Sequence, residues 1–204
     1  MTSPQPVIDP KRTALLLMDY QAGVVAMVPD PDTLLQRAVE AIALVRAHGG
    51  RIGYVRVGFE DADYDAFPVT SSMGQRILAA DRTAYHADAA ATAIHSRVTP
   101  EPGDIVVRKT RVGAFSTTDL DEQLRRDDID TLILAGIATS GVVLSTVRDA
   151  SDRDYRLFVL ADATADRDPA VHEFLLAAIF PRQATVITTA DLGALLAGSG
   201  RQPV

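Results

Sequence analysis

The sequence predicts a three-layer αβα domain, Rossmann-like, around a six-stranded, mainly parallel sheet. Two observations carry this. Six short apolar runs recur along the chain and read as continuous hydrophobic stretches, the pattern of strands covered on both faces. Between most of them lie longer stretches with helical periodicity, and strands alternating with helices imply crossover units and parallel pairing. A chain of 204 residues in which 47% are apolar is long enough for one such domain with a sizeable core. Neither a repeat nor a low-complexity linker divides it, so residues 1–204 are expected to form one domain, with an arm over 1–11 and a frayed tail over 198–204.

The expected strands are Thr13–Asp19, Arg51–Val57, Asp104–Lys109, Thr131–Ile137, Tyr155–Ala161 and Thr185–Thr188. After the first, Asp32–His48 reads as a helix carrying Leu35, Ala38, Val39, Ile42 and Val45 on one face, stopped by Gly49-Gly50. Phe59–Thr99 shows no clear strand. Its centre, Ser72–Ala80, reads as helical, and the rest as an excursion over the active-site edge. Asp119–Arg126 and Ser140–Asp152 are the next helices. Asp168-Pro169 has the form of an N-cap followed by proline at the first helical position, with Val171, Phe174, Leu175 and Ala178 facing inward. Ala190–Ala197 closes the fold.

Composition narrows the function. The formal net charge is −7, against a nucleic-acid partner. The absence of cysteine excludes disulfides, thiolate metal sites and thiol catalysis. The first eleven residues hold three prolines and no apolar run, unlike a signal peptide, and no stretch approaches membrane-spanning length. A cytoplasmic protein acting on a small molecule, without a membrane partner, is the expectation. No GxGxxG follows the first strand and no GxxxxGK[ST] occurs, which disfavours dinucleotide and nucleoside triphosphate chemistry. His48, His86, His95 and His172 have no ligand spacing and read as structural or surface residues. No metal and no cofactor are expected.

Ligands of open α/β sheets bind outside the carboxyl ends of the strands. Asp19 ends the first strand, Lys109 ends the third, and Thr139–Val142 forms the turn after the fourth. If these strands are neighbours, one pocket holds all three. Taken singly, each has a structural explanation: an Asp at a strand end is often a turn or cap residue, a lysine is usually a solvated charge, and a Gly-rich turn can serve only to connect. Lys109 is one of only two lysines, the other being Lys11.

Four stretches together resemble the isochorismatase-like hydrolase superfamily, also called cysteine hydrolases. They are Ala14-Leu-Leu-Leu-Met-Asp-Tyr-Gln21, Arg108-Lys-Thr-Arg-Val-Gly-Ala-Phe115, Gly136–Ala150 and Val159-Leu-Ala-Asp-Ala-Thr-Ala165. The resemblance implies Asp19 as catalytic acid or base with Gln21 as its companion, and Lys109 as the catalytic lysine. It further implies a non-proline cis peptide at Ile137–Ala138, backbone contacts to substrate around Ile137, Ala138 and Gly141, and homodimers or homotetramers.

It also exposes a departure. The family's nucleophilic cysteine falls seven residues before an Asp-Ala pair, here Asp149-Ala150, and that place is Val142. Ser140 and Ser145 are not evident replacements. Thiol-dependent amide hydrolysis is therefore not expected. The resemblance leaves one cysteine-independent reaction, cleavage of a vinyl ether by a protonated carboxyl, with Asp19 as the acid. Lys109 would bind a substrate carboxylate or steer the protonation state of Asp19, Arg111 and Arg56 would add carboxylate contacts, and Phe115 and Phe59 would wall the pocket. The competing reading is a non-catalytic member that binds a metabolite or a protein. A phosphoacceptor role for Asp19 is weaker, because Tyr20-Gln-Ala-Gly23 supplies no acidic cluster.

Overall fold

The computed structural model describes residues 8–198, so most of the expected N-terminal arm and C-terminal tail lies outside the described residues. Six strands, β1 (Thr13–Met18), β2 (Arg51–Val57), β3 (Ile105–Lys109), β4 (Thr131–Ile137), β5 (Arg156–Ala165) and β6 (Thr185–Ile187), form one sheet in the order β3-β2-β1-β4-β5-β6. Every neighbouring pair is parallel. The helices are α1 (Ala22–Val25), α2 (Pro31–Ala47), α3 (Asp61–Asp65), α4 (Ser72–Ala79), α5 (Arg82–Tyr85), α6 (Leu120–Arg126), α7 (Leu144–Asp152), α8 (Pro169–Phe174) and α9 (Thr189–Gly198).

The central strands show why the apolar runs are continuous. Every residue of β1 and β4 is buried. Alternate side chains feed two cores. Leu15, Leu17, Ile133 and Ala135 join Leu35, Val45, Leu192 and Leu196 of α2 and α9. Ala14, Leu16, Leu132 and Leu134 join Leu120, Leu124 and Val147 of α6 and α7. Each buried Leu contributes about 1.5–3 kcal/mol of transfer free energy, so both faces of β1 drive its burial. The strand order reverses direction between β1 and β4, and the crevice at that switch point is where α/β sheets take ligands.

The element boundaries differ from the sequence expectation in three places. Helix α2 begins at Pro31, after Asp30, whose carboxylate accepts from Thr33 N at 3.2 Å. Its buried stripe is Leu34, Leu35, Ala38, Ala41 and Val45, while Val39 is 39% exposed. The small Ala38 and Ala41 share the stripe, and the helix turns Val39 outward. It ends at Ala47 with His48 as C-cap, and the next residue is Gly49, whose φ of +80° suits a residue without Cβ.

Strand β5 continues to Ala165 instead of ending at Ala161, because its register with β4 slips. Leu134 pairs with Val159, but Gly136 pairs with Thr164. The extra residues bulge, and the strand resumes beyond them. In α8 the expected inward face is partly outward: Val171 is exposed and Phe174 is 60% exposed. The helix passes into a π-helical turn over Leu175–Ile179, which rotates the face, and Leu175 and Phe180 fill the core.

The excursion between β2 and β3 has its own small core. Phe59 packs on Tyr64 and Phe67 at ring-centroid distances of 5.5 and 5.6 Å. Ser71 caps α4, accepting from Gly74 N at 3.0 Å. Single bridges from Gln21 to Ile94 and from Phe59 to His86 fasten the segment over the carboxyl end of β1 and β2. Among the described residues no helix is long and apolar enough to cross a membrane.

Candidate active site at the carboxyl end of the sheet

Asp19 comes directly after the last residue of β1 and turns the chain there. Its φ is +58°, a left-handed conformation that Asp tolerates better than most side chains. Its N–H donates to the Val55 carbonyl of β2 at 2.8 Å, which fixes the backbone against the neighbouring strand. The residue is 7% exposed. One carboxylate oxygen, Oδ2, accepts from Lys109 Nζ at 2.9 Å. The other, Oδ1, is buried and has no hydrogen-bond partner among the described residues.

Lys109 comes from β3, which is not adjacent to β1, since β2 lies between them. Lys109 stands level with Val57 of β2, and its four-carbon stem crosses the end of that strand to reach Asp19. Nζ also donates to the Arg111 carbonyl at 3.2 Å. Lys109 is 2% exposed, so two buried charges face each other. Burial pushes the Asp19 carboxyl above its ordinary range, and Lys109 only partly opposes that through its charge and its hydrogen bond. A buried carboxyl that accepts from an ammonium through one oxygen and has its pKa pushed upward can serve as an acid or a base toward a ligand.

Gln21 sits beside the pair and is 1% exposed. Its Nε2 donates to the carbonyls of Val57 and Thr92, each at 2.6 Å, and its Oε1 accepts from Val57 N at 2.8 Å. The amide thereby ties β2 and the excursion to the end of β1.

The turn after β4 leaves the sheet beside Asp19, because Gly136 is level with Met18. A Cβ on Gly136 would lie 2.9 Å from Val143 Cγ2 and 3.1 Å from the Met18 carbonyl, so glycine is required for this approach. The Ile137–Ala138 peptide is cis. A π-helical turn over Thr139–Val143 then leads into α7. Gly141 N and Val143 N both donate to the Ala138 carbonyl, at 3.1 and 3.3 Å. Ser140 N donates to Asp166 Oδ2 at 2.8 Å, and Thr139 Oγ1 lies 2.7 Å from His172 Nδ1. Val142 is 2% exposed and belongs to the same apolar cluster as Met18, Ala114 and Phe115.

The remaining candidates hold the loops around this pair. Arg111 is half-buried, donates to the Thr110 carbonyl at 2.7 Å and lays its guanidinium 4.3 Å from the Phe67 ring. Arg56 donates to the Ala87 carbonyl at 2.7 Å, so it helps hold the excursion. Phe59 is fully buried in the core of that excursion. Phe115 stacks on Tyr155 with centroids 6.1 Å apart, under the Arg153 guanidinium. Its ring therefore anchors the loop after β3 against the start of β5.

The sequence did not signal the contacts of Asp166 and His172 to the turn, which join residues 26 and 33 positions apart. Their only cue was a carboxylate just past a strand end, in a segment rich in Asp. The rings of the other histidines make local contacts, as His48 does through Nδ1 to the Leu44 carbonyl at 2.8 Å. Among the described residues no three His, Cys, Asp or Glu side chains form a metal-holding group.

The fold and site define an α/β domain with a buried Asp–Lys pair at the carboxyl end of a parallel sheet, and comparison with known proteins gives the family. Residues 13–191 match the isochorismatase domain. The chain is 35% identical over 188 residues to a protein of Pseudomonas chlororaphis described as a probable isochorismatase, covering 91% of this chain and 86% of that one. It is 34% identical over 196 residues to the ureidoacrylate amidohydrolase RutB of Methylorubrum extorquens, covering 81% of this chain and 75% of that one. The structure of an isochorismatase family protein from Burkholderia thailandensis superposes with a TM-score of 0.81 at 31% identity, covering 94% of this chain and 98% of that chain. The chain belongs to the isochorismatase family.

Proposed function

We propose that this isochorismatase-family hydrolase cleaves a vinyl ether of a small carboxylic acid, with Asp19 as the proton donor and no covalent enzyme intermediate. One observation carries the reading: Asp19 Oδ1 is a buried carboxyl oxygen without a partner, while Lys109 holds its twin. The protonated carboxyl gives its proton to the terminal vinyl carbon, and the ether oxygen stabilises the oxocarbenium ion formed at the adjacent carbon. Water adds to that adjacent carbon and loses a proton, which returns to the Asp19 carboxylate. The hemiketal then collapses to a ketone and an alcohol. Arg111, whose carbonyl accepts from Lys109 Nζ and whose guanidinium stacks over Phe67, supplies the cation for the substrate carboxylate.

The similarity to an amidohydrolase does not extend to amide chemistry here, on this reading, because the chain contains no cysteine. Val142, placed at the nucleophile position by resemblance, cannot attack a carbonyl. The same residue favours a second reading, a member that binds without turnover.

The test is pyruvate release from isochorismate, run beside ammonia release from ureidoacrylate and nicotinamide. Pyruvate without ammonia supports the proposal. Ammonia release would overturn it, and silence in all three assays would favour the binding role.

Position 142 can be probed directly. Since the chain has no cysteine, a Val142→Cys variant carries a single thiol. The native variant should take up one carbamidomethyl group from iodoacetamide, read by intact mass. Labelling in urea but not in the folded protein would show that position 142 is walled off from the substrate side.

A further inference from the structure

We infer that Asp166 and His172 are positioning residues, which together hold the turn after β4 in its working geometry. The β4–β5 ladder ends at the pair Ile137–Ala165. Immediately beyond it, the chain crosses the cis peptide and winds into the π-helical turn that carries Val142. No strand pairing holds the turn there, and two side chains take over. Asp166, the next residue after Ala165, accepts the Ser140 N–H through Oδ2 at 2.8 Å. His172 meets the adjacent Thr139 hydroxyl at 2.7 Å. Thr139 is fully buried and Asp166 is 9% exposed, so water competes poorly for either bond.

The two anchors are themselves one unit. Asp166 Oδ1 accepts from Asp168 N at 3.4 Å, and Asp168 caps α8 by accepting from Ala170 N at 2.9 Å. Helix α8 presents His172 one turn later, with His172 N donating to the Asp168 carbonyl at 3.1 Å. The loop and helix therefore form a rigid bracket that grips two successive residues of the turn. The Asp166 carboxyl, despite its burial, is held below the ordinary carboxylate range by N–H and hydroxyl donors, chiefly those of Ser140, so it stays an ionised acceptor. Burial keeps the His172 imidazole below its usual range, the neutral form that can accept from the Thr139 hydroxyl.

A bond that only stabilised α7 would change the melting temperature and leave the turn's accessibility unchanged once the protein is folded. The experiment separates these roles. In the Val142→Cys background, the rate constant for iodoacetamide labelling reports how tightly the turn is closed over a residue that is 2% exposed. Asp166→Ala should raise that rate about tenfold, the effect expected from losing one charge-assisted hydrogen bond. Asp166→Asn retains an acceptor oxygen and should recover most of the parent behaviour. Thr139→Val, which keeps the side-chain volume, should give an intermediate rise and serves as the second variant if Asp166→Ala does not fold. Equal labelling rates in the parent, Asp166→Ala and Thr139→Val, all folded by circular dichroism, would overturn the inference. The activity arm rests on the proposed function: kcat for vinyl-ether cleavage should fall with KM little changed. Absence of parent turnover would fail that reading alone, because the labelling rates stand without it.

Discussion

Replacing Asp19 by Asn should lower vinyl-ether turnover by about 10²–10⁴-fold, the contribution of a positioned general acid. Asn keeps the volume and can still accept from Lys109 Nζ through its oxygen, but it has no proton to give. The pH profile of the parent tests the same group without a mutation. The carboxyl stands above its ordinary value of 3.8 because it is buried, with Lys109 pulling the other way. In the proposed mechanism the active form is the protonated one, so turnover should be high on the acid side and fall as pH rises through the folded-state pKa. Stability has the same sign. The folded-state pKa exceeds the unfolded one, so the contribution of this carboxyl is fully present below the unfolded pKa and is lost as pH rises through the folded pKa. A descending limb that vanishes in Asp19→Asn together with the activity would assign it to Asp19. An Asn variant with parent-like kcat would remove Asp19 from the chemistry.

How far the sequence foretold this site depends on the residue. The layers were readable because Leu15–Leu17 and Leu132–Ile137 are apolar without interruption, a length and pattern that fit strands covered on both faces. The cis peptide came from resemblance to a known family, whereas placement at strand ends brought Asp19 and Lys109 to one pocket only on the condition that their strands were neighbours. Local periodicity cannot order strands, and Lys109 reaches Asp19 across an intervening one. Phe174 was misplaced for a different reason. A 3.6-residue period assumes a uniform helix, whereas α8 gives way at Leu175 to a π-helical turn, so Phe174 before the turn does not share the inward face of the residues in and after it. The slipped register of β5 was hidden likewise, because the extra residues around Ala161 and Asp162 look like the end of a strand. For Gln21 the family supplied the residue, but the bonds of its amide to Val57 and Thr92 depend on where the excursion folds back.

The second large effect is on stability. Lys109→Met should destabilise the protein by about 3–5 kcal/mol near neutral pH, the usual cost of leaving one member of a buried ion pair alone. The side chains of Lys109 and Asp19 are 3% and 10% exposed, so water cannot replace the lost partner. Met matches the length and apolar character of the lysine stem, which isolates the charge from packing. Removing the ammonium also removes what opposes the burial-driven rise of the Asp19 pKa. Asp19 in the variant therefore takes up a proton at higher pH than in the parent, and the penalty should shrink as the solution is acidified. Adding Asp19→Asn to Lys109→Met neutralises both partners and should recover stability relative to Lys109→Met alone at neutral pH. The resulting coupling free energy belongs to the pair and not to either residue. Urea unfolding of the parent, both single variants and the double variant at neutral and acidic pH would measure it. Additivity within about 0.5 kcal/mol at neutral pH would mean that the two charges do not sense each other in the folded state. A positive coupling that fades on acidification would tie the stability of the sheet's carboxyl end to the same titration of Asp19 that the proposed mechanism uses.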